Sequence, residues 1–279
     1  MAFRYDFLIS DLLFRVECQE ELRVPENFQP FLTASDSLRC PDILLEIVFY
    51  TPDMARAPAF KEMTAGAAEK IRWKDGVDII RCEPAGRGQP GRLFVPSGVT
   101  AGCCEHGRWL LYFAMERLLL PFHRIVLHAS AVIYQGNAYL FSAPSGGGKS
   151  THAALWETYR GATVLNGDKV IVAVEPNGCR AYGSPVAGSS GIYINASAPI
   201  GAVFFLKKER ENKVRPLSPR QRILALYSES IKSSWDRSFN SQLLEQIQNM
   251  QDCVPVLSLD CLPDRTAAEC ALQYIEGTK

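Results

Sequence analysis

The segment Asn137-Ala-Tyr-Leu-Phe-Ser-Ala-Pro-Ser-Gly-Gly-Gly-Lys-Ser-Thr-His152 decides the fold of the second half of this chain. Its first six residues form an apolar run that is typical of a buried β-strand. Three consecutive glycines follow, and residues 150–159 then have the spacing of an amphipathic helix. A strand that runs through a glycine-rich loop into a helix is the local architecture of phosphate-binding loops in α/β proteins.

The loop matches the P-loop pattern G-x-x-x-x-G-K-[ST] at all but one position, because Ala143 stands where the first glycine is expected. Glycines let backbone N–H groups turn toward phosphate oxygens with no Cβ in the way. In such a loop the lysine contacts the β- and γ-phosphates, and the hydroxyl residue ligates Mg²⁺. The residues expected to bind the nucleotide are Ser145, Gly146, Gly147, Gly148, Lys149, Ser150 and Thr151, with Ser150 also on the metal.

Two further residues are candidates for phosphoryl transfer. The reaction needs a carboxylate at the end of a neighbouring strand, to hold Mg²⁺ or to accept a hydroxyl proton. Asp168 follows the short apolar run 163–165 and fits that place, the alternative being an ordinary aspartate in a turn. His128 lies in the strand that precedes the strand of the loop. A lone histidine beside apolar residues is more often part of the core.

Several motifs occur together in one order: His128-Ala-Ser-Ala-Val, Ser142-Ala-Pro-Ser-Gly-Gly-Gly-Lys-Ser-Thr-His152, Leu165-Asn-Gly-Asp-Lys169 and Tyr182-Gly-Ser-Pro185. In these motifs the chain resembles the HPr kinase/phosphorylase-like family, which shares its P-loop fold with phosphoenolpyruvate carboxykinase. The family includes ATP-dependent kinases that phosphorylate serine in proteins or small modified peptides. The resemblance implies an α/β fold, with a P-loop HPr kinase/PEP carboxykinase-like core and a smaller β-rich N-terminal domain.

The same resemblance implies cofactors, a substrate and catalytic residues. The cofactors would be ATP and Mg²⁺, and the substrate would be a serine hydroxyl of a peptide or small protein. His128 would lie near the reacting phosphate as a partner of the catalytic acid. Asp168 would be the metal ligand or the general base. These assignments predict an ATP-dependent serine kinase, although the sequence does not identify the acceptor or exclude pyrophosphate as the donor.

Two positions depart from the pattern of the family. The family usually has Asn-Asp-Asp-Lys where this chain has Asn166-Gly-Asp-Lys169, and it tends to have a lysine where this chain has Ser189. One carboxylate and one lysine are therefore replaced. Electrostatic stabilisation is usually the largest catalytic effect, and one lost donor costs about 2.7–4 kcal/mol. The alternative function is accordingly a nucleotide-binding protein with weak or no catalysis, in regulation or scaffolding.

Composition restricts the partners. The 279 residues include 30 Lys+Arg and 30 Asp+Glu, so the zero net charge gives no electrostatic footprint for nucleic acid or an anionic membrane. No apolar run approaches the roughly 20 residues of a spanning helix, and no signal-peptide pattern is present. Nine cysteines without CxxC spacing are typical of reduced thiols. We expect a cytoplasmic protein and leave a homo-oligomer open.

Strand and helix patterns divide the chain near residue 120. Residues 1–120 are expected to form the β-rich domain, with strands at 43–50 and 92–96, a hairpin at 71–82 that turns at Asp75-Gly76, and a helix at 106–121. Residues 121–279 are expected to form the nucleotide-binding domain. Its predicted strands are 125–134, 137–142, 163–165, 170–174, 180–182, 202–206 and 256–259, and its predicted helices are 150–159, 218–227, 239–249 and 266–275.

Overall fold

The computed structural model describes residues 3–34, 39–64, 68–72, 78–82, 89–97, 112–232 and 236–277. The chain is a mixed α/β protein with two sheets, and it divides into two compact units, Met1–Leu118 and Leu119–Lys279. In the described part of the chain, no helix combines the length and the apolar character that crossing a membrane requires.

The described residues of the first unit form a seven-stranded sheet. Its strands are β1 Phe3–Ile9, β2 Leu12–Cys18, β3 Leu32–Thr33, β4 Ile43–Tyr50, β5 Ala68–Arg72, β6 Asp78–Cys82 and β7 Gly91–Pro96. They lie in the order β3-β1-β2-β4-β7-β6-β5, with β2, β4 and β7 parallel to one another and the other neighbours antiparallel. The helices α1 Pro52–Arg56, α2 Pro58–Met63 and α3 Met115–Leu119 complete the element order up to the boundary.

Most predicted elements of the first unit are present. The strands predicted at 43–50 and 92–96 are confirmed by β4 and β7. The predicted hairpin is present as the antiparallel pair β5 and β6, and the turn predicted at Asp75-Gly76 lies outside the described residues. The helix predicted at 106–121 is shorter where it is described, because α3 gives way to a 3₁₀ turn at Leu120–Phe122. Residues 106–111 lie outside the described part.

The hairpin of β1 and β2 was not predicted from the sequence. Its turn residues, Ser10 and Asp11, both have positive φ angles, 51° and 64°, without the glycine that usually marks such a turn. Asp6 and Arg15 also interrupt the apolar pattern of the two strands. In the fold these two side chains form a buried ion pair, with Arg15 Nη2 2.8 Å from Asp6 Oδ2. The charges are therefore satisfied inside the sheet.

The described residues of the second unit form an eight-stranded arrangement with four helices longer than ten residues. The strands are β8 Arg124–Tyr134, β9 Asn137–Ser142, β10 Thr163–Asn166, β11 Lys169–Glu175, β12 Gly178–Tyr182, β13 Ser197–Lys208, β14 Lys213–Pro216 and β15 Val256–Cys261. The helices are α4 Lys149–Arg160, α5 Pro219–Glu229, α6 Arg237–Cys253 and α7 Arg265–Gly277.

Two long strands organise this arrangement. The first half of β8 pairs with β11, and the second half pairs with β9 and β10. Strand β13 pairs first with β12 and then, in parallel, with β9 and β15. Helices α4 and α7 cover one face, where Trp156 packs with Phe141 and Phe204. Helices α5 and α6 cover the other face, where Leu226 and Ile247 are buried.

The predicted elements of the second unit are all present, with bounds that differ by up to five residues. The start of α5 follows the sequence signal, because Ser218 and Gln221 form a reciprocal capping box ahead of Pro219. Strand β14 was missed. Its residues, Lys213–Pro216, form an edge strand beside β15.

Candidate functional site

The glycine loop, residues 143–148, joins β9 to α4. Gly146 and Gly148 have φ angles of 74° and 100°, in the left-handed region that favours glycine. A Cβ on Gly147 would lie 2.5 Å from the Cβ of Ala143 and 2.8 Å from the carbonyl oxygen of Pro144. Ala143 itself has no positive φ and is buried, so the alanine fits the position of the missing first glycine. Each of the three glycines is required by the shape of the loop.

Lys149 is the first residue of α4, and its side chain is folded back onto the loop. Its Nζ donates hydrogen bonds to the carbonyl oxygens of Ala143, at 2.8 Å, and Pro144, at 3.4 Å. Burial lowers the pKa of the ammonium group, while the negative charges of Glu229 and Asp168 act against this shift. Lys149 is therefore within electrostatic range of both carboxylates.

Ser150 and Thr151, the next residues predicted to bind nucleotide, are exposed on the first turn of the helix. The N–H groups of a first helical turn have no partner within the helix, and together with the helix dipole they favour a bound anion. Ser145 is also exposed, on the loop before the turn. All the predicted nucleotide ligands are thus gathered at one helix N-terminus.

The structure brings His128 and Asp168 into contact. His128 is paired with Lys169 in the register of β8 and β11, so the turn before β11 places Asp168 beside the histidine. His128 Nε2 lies 3.2 Å from Asp168 Oδ1. The other carboxylate oxygen, Oδ2, accepts a hydrogen bond from Lys169 Nζ at 2.9 Å. Asp168 is consequently held between a histidine and a lysine.

The turn that carries Asp168 is fixed by a buried amide. Asn166 Oδ1 accepts hydrogen bonds from the backbone N–H groups of Asp168, at 2.9 Å, and Lys169, at 2.8 Å. Its Nδ2 donates to the carbonyl oxygens of Ser184, at 3.0 Å, and Val186, at 3.2 Å. This asparagine joins the segment before β11 to the segment after β12, and it fixes the backbone of Asp168.

Glu229 is a site residue that the sequence analysis missed. It is the last residue of α5, and its Oε2 lies 3.3 Å from His128 Nδ1. No motif marks it, because it comes to the site from about a hundred residues further along the chain. The contact between Glu229 and His128 arises from the packing of α5 against β8, which the sequence does not predict.

The two departures from the family pattern lie close together. A Cβ on Gly167 would overlap the hydroxyl of Ser190 and lie 2.5 Å from its Cβ. Ser190 is held in place, since its Oγ donates to the carbonyl oxygen of Ala187 at 2.6 Å. Ser189 is in the same short turn, Gly188–Ser190. The position of a second aspartate is therefore filled by this turn.

A pocket of about 540 Å³ adjoins the glycine loop. Strands β9 and β15 are both parallel to β13, so the three strands end at the same edge of the sheet. The residues that follow them meet there, as is usual for ligand sites in α/β sheets. Besides residues 146–152 of the loop and α4, the pocket is lined by Leu155, Leu206, Lys208, Glu209, Cys261, Leu262 and Pro263.

His152, which follows the predicted nucleotide ligands Ser150 and Thr151 in the first turn of α4, is a core residue. It is buried, and its Nε2 accepts a hydrogen bond of 3.3 Å from the indole Nε1 of Trp156. Its ring lies edge-on to Phe141, with 4.4 Å between ring centroids. Burial lowers the pKa of His152 to about 4, so the imidazole is neutral at pH 7. Trp156 is fully buried.

The residues of the site suit a magnesium ion that is held partly by a ligand. No group of three or more His, Cys, Asp and Glu side chains within the described residues is arranged as a protein-only metal site. Mg²⁺ usually binds through one or two carboxylates together with substrate phosphates and waters. The hydroxyl of Ser150 and the carboxylate of Asp168 are oxygen donors of the kind this ion prefers.

No protein-family model matches the sequence, and no curated protein matches it. Among solved structures, the HPr(Ser) kinase/phosphatase from Coxiella burnetii is similar at 15% sequence identity. The alignment covers 55% of this chain and 93% of that chain, with a TM-score of 0.33. The relationship is a distant structural one, and a TM-score this low establishes neither a common fold nor an activity.

Proposed function

We propose that this chain is an ATP-dependent kinase of the HPr serine kinase-like class, with a P-loop core. It would act in the cytoplasm and phosphorylate a serine hydroxyl of a peptide or small protein. One observation carries the proposal: the glycine loop with its buried lysine follows Ser142, whose Oγ donates to the carbonyl oxygen of His128 at 2.8 Å, and the imidazole of His128 contacts the carboxylate of Asp168. Phosphoryl transfer requires these two parts in one place, because its catalysis consists of positioning and charge stabilisation.

The loop would bind the phosphates of the donor. The N–H groups at the start of α4 and the positive end of the helix dipole attract the phosphate oxygens. Lys149 would exchange its carbonyl partners, Ala143 and Pro144, for the β- and γ-phosphate oxygens. That exchange is favourable because a charge-assisted hydrogen bond to a phosphate is stronger than one to a neutral carbonyl. Ser150 and Asp168 would hold Mg²⁺, which neutralises charge on the phosphates when it is bound.

Asp168, together with His128 and Lys169, would act on the serine hydroxyl that accepts the phosphate. In the transfer, the bond between the γ-phosphorus and the bridging oxygen breaks, and a bond from the serine Oγ to that phosphorus forms. The hydroxyl proton passes to the carboxylate of Asp168 if this residue is the general base. His128 and Lys169 both contact that carboxylate and fix its orientation. Asp168 has two candidate roles, metal ligand and general base, and mutagenesis has to distinguish them.

The pocket beside the loop supports a nucleoside triphosphate over pyrophosphate as the donor. Its volume of about 540 Å³ lies within the range of small-ligand sites. The pocket adjoins the loop residues that would bind the phosphates. Leu155, Leu206 and Leu262 offer apolar surface of the kind on which a purine packs. Pyrophosphate would leave this surface empty.

A nucleotide-binding protein with little or no catalysis is the second candidate. The observation that favours it is the pair of substitutions at Gly167 and Ser189, which remove one carboxylate and one lysine from the family pattern. In that case the loop would bind Mg·ATP, and the bound nucleotide would serve regulation or scaffolding.

Single-turnover transfer from γ-labelled ATP separates the two candidates. The wild type is compared with Lys149→Ala and Asp168→Asn, with peptides encoded near the gene as acceptors. The kinase proposal expects label on a serine with the wild type and a loss of label of at least about 100-fold with either variant. Tight binding of Mg·ATP without any labelled acceptor would instead support the second candidate.

A further inference from the structure

The imidazole of His128 lies between two carboxylates that come from different elements. Asp168 Oδ1 is 3.2 Å from Nε2, and Glu229 Oε2 is 3.3 Å from Nδ1. The side chain of Glu229 is only 13% exposed, so its carboxylate is largely withdrawn from water. Both ring nitrogens of the histidine are therefore engaged by the protein.

The position of Glu229 is unfavourable for its own helix. A carboxylate in the last turn of α5 faces the negative end of the helix dipole, and its partial burial adds a desolvation cost. The helix end is satisfied by another residue, because Lys232 Nζ donates to the carbonyl oxygens of Tyr227, at 2.9 Å, and Ser228, at 3.2 Å. Glu229 is unfavourable for its helix and contacts His128, so its position is best explained by a role in the site.

The main chain holds Glu229 firmly beside the strand of the histidine. Ile231 N donates to the carbonyl oxygen of Val126 at 2.8 Å, and Ser230 forms a β-bridge with Leu127. The glutamate directly precedes this bridge, and His128 directly follows it. These adjacent backbone contacts fix both residues, so the fold itself determines that the two side chains are in contact.

We propose that Glu229 is the second carboxylate of this site and that it positions His128 for the reaction. The inference rests on the proposed kinase function for the step it serves. The side chain of an aspartate at residue 167 would clash with Ser190. Glu229 supplies a negative charge from the opposite side of the histidine, and it holds Nδ1 while Nε2 faces Asp168. It acts through His128 and is a positioning residue.

The proposal predicts an effect on the rate of transfer measured at saturating nucleotide. Loss of the Glu229 contact frees the imidazole to rotate away from Asp168, and removal of such supporting partners typically costs about 10–100-fold in activity. We expect Glu229→Ala to lower the single-turnover rate at saturating Mg·ATP by this factor. Glu229→Gln keeps an acceptor oxygen of the same reach and should retain part of the rate.

The decisive experiment combines that rate with the ring ¹⁵N resonances of His128 in the full chain. The variants are Glu229→Ala, Glu229→Gln and, as a matched control, Glu245→Gln on the exposed side of α6. We expect the His128 resonances to shift in Glu229→Ala, to shift less in Glu229→Gln and to stay unchanged in the control. The double variant with His128→Asn should be no slower than His128→Asn alone.

Two results would overturn the inference. One is an unshifted His128 ring in both Glu229 variants, which shows that no contact exists in solution. The other is a wild-type transfer rate in Glu229→Ala. If the wild type itself transfers no phosphate, the kinase proposal fails, and the ring resonances alone then decide whether Glu229 positions His128.

Discussion

His152 shows how burial decides what a residue in a binding motif does. Its position in the first helical turn after the glycine loop favours a contact with phosphate, whereas its side chain packs inward against Trp156 and Phe141. Burial lowers its pKa from 6.5 to about 4, which means that the fold favours the neutral ring. The contribution of the neutral His152 ring to the free energy of unfolding is complete above the unfolded-state pKa of 6.5, and it is lost as the pH falls toward the folded-state pKa of about 4.

We expect a pH dependence of unfolding that a substitution at His152 removes. The shift is worth on the order of 3 kcal/mol between pH 7 and pH 4. His152→Gln retains an acceptor for the indole of Trp156 and cannot be charged, so its free energy of unfolding should fall less over this interval. Urea denaturation at several pH values measures the difference. His123→Asn, at an exposed residue with a φ of 58°, is the control and should follow the wild-type curve. Parallel curves for His152→Gln and the wild type would refute the burial argument.

Gly167 is the residue at which the family pattern and the packing conflict. Restoring the missing aspartate would place a side chain against Ser190, and overpacking of this kind costs about 1–3 kcal/mol. We therefore expect Gly167→Asp to lower the melting temperature by several degrees and to leave the transfer rate no higher. Adding Ser190→Gly should recover most of the stability. A single Gly167→Asp variant with raised activity and unchanged melting temperature would contradict this reading.

Sequence reasoning identified the residues that a contiguous motif marks. Lys149 and Ser150 follow from the glycine loop, and the contact between His128 and Asp168 is consistent with the roles that the resemblance implies. Glu229 was out of reach, because a glutamate near a helix end has no distinctive local pattern. The roles of these residues stay predictions until the transfer reaction is measured.

At the scale of elements, α4 connects the loop to the core. Trp156 is fully buried between Tyr134 and Tyr139, with ring centroids 5.6 Å and 5.1 Å away. Truncation of such a residue leaves a cavity, and we expect Trp156→Ala to cost about 3–5 kcal/mol in the free energy of unfolding. Tyr159→Ala, on the exposed face of the same helix, is the matched control and should cost less than about 1 kcal/mol. Equal losses in the two variants would show that α4 is not anchored through Trp156.

The elements that sequence reasoning missed share a physical cause. Strands β1 and β2 carry Asp6 and Arg15, and β14 carries Lys213 and Arg215, so their hydrophobic pattern is broken. Three of these charges are stabilised by a partner in a neighbouring strand, through the contacts of 2.8 Å between Arg15 and Asp6 and between Arg215 and Asp260. Such pairing exists only once the sheet has formed. Local periodicity predicts strands well where apolar residues alternate, as in Ile43–Tyr50.

At the scale of the molecule, strand order creates the site. Strand β9 delivers the glycine loop, and β13 and β15, parallel to each other, bring Lys208 and Leu262 to the same edge. Strand β8 changes partners from β11 to β9 near His128, which sets the histidine against Asp168. The sequence indicated β8, β9, β11, β13 and β15 individually. It did not indicate which strands are neighbours, because pairing depends on contacts between distant segments.

The central claim is that the glycine loop binds the phosphates of a nucleotide, and isothermal titration of the full chain with Mg·ATP tests it most directly. We expect one nucleotide per chain for the wild type and, for Lys149→Ala, an affinity lower by about 10- to 150-fold, because a hydrogen bond from a charged group contributes about 1.5–3 kcal/mol. Lys213→Ala, on the exposed edge strand, should bind as the wild type does. Equal affinity of the wild type and Lys149→Ala, or no binding by the wild type, would contradict the account.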